Sequence, residues 1–183
     1  MAIPRFLGTV HTVRGGINPT DGIYWVSCSV ESTHYFWAYN TLTKVNYGYV
    51  GSITGTTTMS GTNGDLVFDQ DGNMLIVTSE STGSYLNRVT GMNATLAAGS
   101  TGAARDLTLL VGIAKVTTLG SGSTNVYNGI TFDNDGLLWM QYYSGATAYI
   151  AGFDPNTGAR VKGPFSLSGT STSTGDTRTA TVL

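Results

Sequence analysis

The sequence predicts an all-β chain that repeats one four-stranded antiparallel unit, and three observations carry that prediction. No stretch of about eleven residues or more places apolar side chains at helical spacing, because Gly or neighbouring β-branched residues interrupt each candidate. Short runs rich in Val, Ile, Thr, Tyr, Phe and Trp recur between Asp-Gly, Asn-Gly, Thr-Gly and Gly-Ser turns. One phrase of sequence also returns at a long interval, as in repeat architectures.

The strands are expected near 6–13, 22–30, 34–39, 44–54, 64–68, 73–80, 84–90, 106–111, 113–119, 128–132, 137–143, 147–153, 160–167 and 177–182. The stretch from Met92 to Arg105 reads as a loop, Ser168 to Asp176 as a Ser/Thr/Gly spacer, and helix content as close to nil.

The repeat is explicit in Asn63-Gly-Asp-Leu-Val-Phe-Asp-Gln-Asp-Gly72 and Asn128-Gly-Ile-Thr-Phe-Asp-Asn-Asp-Gly136, each running into a strand. A third copy is Asn18-Pro-Thr-Asp-Gly22, so the Asp-Gly turns align Trp25, Leu75 and Trp139. Each copy then closes on a second turn, the clearest being Asp154-Pro-Asn-Thr-Gly158, with Pro and Gly where a tight reversal needs them. Strand, Asp-Gly turn, strand, hairpin, strand, turn, strand is one blade of a β-propeller. The expected fold is therefore a β-propeller-like array of three to four four-stranded antiparallel blades, in one domain over 1–183. The blades fall near 18–60, 63–120 and 128–167.

Composition narrows the partners. Charged residues are 11% of the 183, the 25 glycines and many Thr, Ser and Asn supply the polarity, and net charge is −2. Nine Lys and Arg, scattered singly, offer no footprint for a phosphate backbone, so nucleic acid is not expected. No apolar run approaches the ~20 residues of a membrane-crossing helix, so membrane insertion is not expected. The opening Met1 to Val10 has no apolar stretch of signal-peptide length. Cys28, in a strand-like run, reads as a small buried filler rather than a reactive thiol.

The phrase Gly-x-x-Phe-Asp-x-Asp-Gly-x-Leu, leading to Phe-Asp-Pro-x-Thr-Gly, resembles blades of six-bladed propeller families. These are the NHL-type repeats, the senescence-marker/gluconolactonase family and repeat domains of bacterial surface proteins, and the likeness covers about 18–165. It implies six blades, and either a binding scaffold or a lactone hydrolase with a metal in the central channel. Three clear copies fall short of six, so either the terminal strands 6–13 and 177–182 pair or subunits associate to close the ring.

Two constellations carry possible chemistry. Asp69-Gln-Asp71-Gly-Asn73 and Asp133-Asn-Asp135-Gly resemble calcium loops, but they lack a third acidic position and the closing glutamate. Asx residues before Gly also suit a tight turn, so the turn reading leads and a weak calcium site is the alternative; no other cofactor is expected. The aromatics Tyr35, Trp139, Tyr142 and Tyr143 suit stacking against a glycan, although for the tryptophans at 25 and 139 the core between blades is the leading reading. His11, His34, Glu31 and Glu80 read as solvated groups at strand ends. No nucleophile elbow, zinc-protease helix or phosphate loop occurs.

The leading expectation is a non-enzymatic interaction module on an exterior surface, a virion component such as a bacteriophage head or tail decoration, or a bacterial cell-surface domain. It would bind a protein partner or self-assemble. A carbohydrate-binding propeller is the alternative, and a metal-dependent, lactonase-like hydrolase the second alternative.

Overall fold

The computed structural model describes residues 13–30, 33–54, 64–80, 83–97, 105–121 and 125–167. Among them are twelve strands in three sheets of four. The first sheet runs β1 (Val13–Ile17), β2 (Ile23–Val30), β3 (Thr33–Asn40) and β4 (Asn46–Ile53). The second runs β5 (Leu66–Phe68), β6 (Met74–Glu80), β7 (Gly83–Thr90) and β8 (Gly112–Ser121). The third runs β9 (Asn125–Phe132), β10 (Leu138–Ser144), β11 (Thr147–Phe153) and β12 (Arg160–Ser166). Every pairing is antiparallel between chain neighbours, so each sheet is a meander.

The turns between the first two strands of each sheet explain this order. Asp69 Oδ1 accepts from the backbone N–H of Asp71 and Asn73, and Asp133 Oδ1 accepts from Asp135 and Leu137, so each aspartate holds its own reversal. In the first sheet Asn18 Oδ1 accepts from Thr20 N–H and Asp21 Oδ1 from Ile23 N–H. Gly72 has φ +81°, and a Cβ there would lie 2.9 Å from Thr20 Oγ1, so the second turn sits tightly on the first.

Alternation along the strands gives the second sheet two working faces. Leu66, Phe68, Met74, Ile76 and Val89 pack on Trp25, Phe36, Ala38, Val50 and Ile53 of the first sheet. Leu75, Val77 and Leu86 pack the other way, on Tyr127, Ile130, Leu138, Met140 and Phe153 of the third. Trp25, Met74, Leu75, Ile76, Leu138 and Met140 are all at 0% exposure. At ~25 cal/mol per Å2 of apolar surface removed from water, these two seams are the main source of cohesion between sheets.

Four local features depart from the sequence-based expectation. Residues 92–105, expected as a loop, begin with a one-and-a-half-turn helix α1 (Met92–Ala97) that drops Met92 and Leu96 into the first seam. Residues 106–111, expected as a strand, form a 3-10 turn (Leu107–Leu109) started by Asp106, whose carboxylate accepts from Thr108 N–H. β1 runs through Gly15 and Gly16, beyond the end of the strand expected at 6–13. Apart from Val13, that expected strand and the one at 177–182 lie outside the described residues, as do His11 and Glu31.

His34 is not a solvated edge group: it is fully buried, its Nδ1 3.2 Å from Arg14 Nη1, with Arg14 Nη2 donating to Ser29 Oγ at 3.5 Å. Burial pulls the Arg14 guanidinium down to about 10, against the raising influence of Asp65. Cys28 is buried, and that burial pushes its thiol above the usual range.

Candidate functional site

The Asp-Gly turns gather at one end of the array: Gly72 packs against Asn18 and Thr20 of the first turn, and the second and third turns stand beside each other. Between them opens a cavity of about 510 Å3. Its walls include Phe68 to Asp71 of the second sheet's turn, Phe132 to Gly136 of the third's, and Pro155 and Asn156 of the last hairpin turn.

Arg88, on β7, reaches across to that hairpin turn, where Nη2 donates to Asn156 Oδ1 at 2.9 Å and to Pro155 O at 3.3 Å. Asp154 fixes the same turn by accepting from the N–H of Asn156 and Thr157, and those donors hold its carboxyl below the usual aspartate range.

The sequence-predicted carboxylates therefore divide into two pairs. Asp69 spends Oδ1 on the turn and Oδ2 on Asn73 Nδ2 at 3.0 Å. Asp133 spends Oδ1 on its turn and Oδ2 on the Trp139 indole N–H at 2.7 Å. That indole, followed by the two backbone donors, holds the Asp133 carboxyl below the ordinary value. Asp71 and Asp135 are exposed, and both line the cavity wall. Among the described residues no group of three or more His, Cys, Asp or Glu side chains converges in a geometry for a metal ion.

The aromatic candidates are not brought together. Tyr142 faces inward, stacked between Tyr127 at 4.9 Å and Tyr149 at 5.5 Å, where a glycan cannot reach its ring. Strand alternation turns Trp139 and Tyr143 to the opposite face of β10, with Trp139 half-buried against Phe165. Tyr35 lies in the first sheet beside Tyr49, with ring centres 6.3 Å apart. Sequence reasoning missed Arg88, Asn134 and Asn156 as wall residues, since their proximity arises from the packing of two sheets rather than from spacing along the chain.

No family model and no curated protein matches the sequence. Among solved structures, the chain is similar to a GH43 glycoside hydrolase whose engineered active site displays both endo-xylanase and exo-arabinofuranosidase activity. The match has a TM-score of 0.54 and 13% identity, and covers 88% of this chain and 32% of that one. The array is propeller-like. Its three sheets are blades, numbered 1 to 3 in chain order. At this identity the likeness shows the fold alone, and the chain spans about a third of the solved protein's length. The resemblance to NHL-type and gluconolactonase-like blades likewise rests at the level of the blade. The expectation of a non-enzymatic virion or cell-surface module is corrected by this comparison, because the solved protein that shares the fold is an enzyme acting on carbohydrate.

Proposed function

We propose that the chain is a carbohydrate-binding propeller whose glycan site is the cavity between the turns of blades 2 and 3. One observation carries the reading. The cavity, at about 510 Å3, sets the half-buried Phe132 beside carboxylate, amide and guanidinium groups of Asp71, Asn134, Asp135, Asn156 and Arg88. Sugar hydroxyls are met by planar groups with paired donors or acceptors, and sugar C–H faces by aromatic rings. Pockets for small ligands range over about 300–1,000 Å3, which suits a short oligosaccharide segment.

The similarity to a glycoside hydrolase described for xylanase and arabinofuranosidase activity supports pentose-containing glycans as the first class to try. Asp69 and Asp71 on one side and Asp133 and Asp135 on the other, with Arg88 as the single cation among the lining residues, favour neutral over acidic sugars, since a uronate there would meet like charge.

Calorimetric titration with xylo- and arabino-oligosaccharides tests the reading. Asp71→Ala and Asn134→Ala, at exposed turn positions, are expected to weaken binding by about tenfold each while leaving the melting temperature nearly unchanged, as loss of one or two hydrogen bonds predicts. Binding that is absent for every neutral glycan, or indifferent to both substitutions, overturns it. Release of reducing sugar in the same samples would extend the reading to hydrolysis.

A further inference from the structure

The repeat gives every blade a matched pair of docking faces. Tyr24 and Val26, Met74 and Ile76, and Leu138 and Met140 occupy the same two places after the turn, and Trp25, Leu75 and Trp139 the place between. In blade 2, Met74 and Ile76 are fully buried against blade 1, and Leu75 is fully buried in the seam with blade 3. Blade 1 buries Trp25 on blade 2, and blade 3 buries Leu138 and Met140 on it.

At the two ends of the array the same positions meet no neighbouring blade among the described residues. Tyr24 stays 38% exposed, beside Ile17 at 55% and Tyr39 at 37%, its partners across β1 and β3. Trp139 on the far face of blade 3 is half-buried, and Phe165, which stacks on it, is 53% exposed. Large apolar groups at positions that form seams elsewhere in the array mark a face built for a neighbour.

We propose that the neighbour is a second copy of this chain, with blade 1 of each copy packing on blade 3 of the other to close a six-bladed ring. Each new joint continues the seams already present between blades 1 and 2 and between blades 2 and 3, using the same repeat positions. Stoichiometry follows from blade number: propellers close with about four to eight blades, and the described residues supply three, so one set is too few, three sets are too many, and two sets fit. A head-to-tail joint that closes by rotation leaves no blade face open. The inference goes beyond the glycan reading and does not depend on it.

Light scattering on the full chain, from low micromolar to a few hundred micromolar, tests it. The expected mass is close to twice 19.2 kDa. Tyr24→Glu and Phe165→Glu each place a charge on one of the two faces and are expected to give folded monomers by circular dichroism. Mixing the two variants is expected to restore a dimer weaker than that of the wild type, since one joint pairs the two intact faces while the other sets the two charged faces together. A wild-type monomer at all concentrations, whose end faces are then covered by other parts of the chain itself, overturns the proposal. So does a dimer that either variant leaves intact, or one that mixing fails to restore, because both describe some other joint. The wild-type mass decides the matter if a variant does not fold.

Discussion

Asp133 joins three groups with one carboxylate: two backbone donors of its turn and the indole of Trp139, the second residue of the next strand. Asp135, two residues on, is exposed and closes no such turn. Asp133→Ala is therefore expected to lower stability by about 1–2 kcal/mol in urea denaturation, and Asp135→Ala to change it by less than about 0.5 kcal/mol. The folded carboxyl lies below its ordinary value of 3.8, so its contribution is complete above that value and is lost as pH falls through the lower folded one. The acid limb of the stability profile is expected to flatten in Asp133→Asn; a limb of unchanged slope would assign acid loss to other groups. The sequence showed these carboxylates as turn formers, because the Asx-Gly pattern is local. It did not show that two such turns face each other across a cavity, nor that Tyr142 points inward while Trp139 points out, since both facts depend on which side of β10 the next blade lies.

At the scale of the element, Gly64 shows how closely strands are set. Its φ is +127°, and a Cβ would lie 1.9 Å from the backbone oxygen of Val77. At Gly136, with φ +79°, an added Cβ would meet nothing within 4 Å. Gly64→Ala is expected to cost about 3 kcal/mol or more and Gly136→Ala about 1 kcal/mol, separated by their denaturation midpoints. Equal costs would show that β5 shifts to absorb the clash. Most strands were legible in advance because alternating β-branched and aromatic residues between glycine turns are a short-range signal: β2, β3, β6, β7, β10 and β11 lie within a residue or so of their expected bounds. α1 escaped because six residues hold too few turns to display a helical period, although Met92 and Leu96 sit four apart on its buried side. The Leu107-Thr-Leu-Leu110 run read as a strand, yet Asp106 caps it into a 3-10 turn that buries Leu107 and leaves Leu109 outside. Gly15 and Gly16 hid β1, because glycine ordinarily weakens a strand.

At the scale of the whole molecule, among the described residues blade 2 is held on both faces and each end blade packs on one. Such a series opens from its ends, since the free energy of local opening follows the number of packed faces. Cys28 lies in β2 on the side of blade 1 that carries Tyr24 and Tyr35, away from the seam with blade 2. Its thiol is buried and biased towards the protonated form, so an alkylating reagent gains access only when that blade opens. One cysteine in 183 residues thus makes a built-in chemical clock, which needs no engineered label. Trapping is expected to outpace global unfolding in dilute solution and to slow as protein concentration rises and a second copy covers the clock face. A rate independent of concentration and equal to that of global unfolding would mean that all three blades let go together.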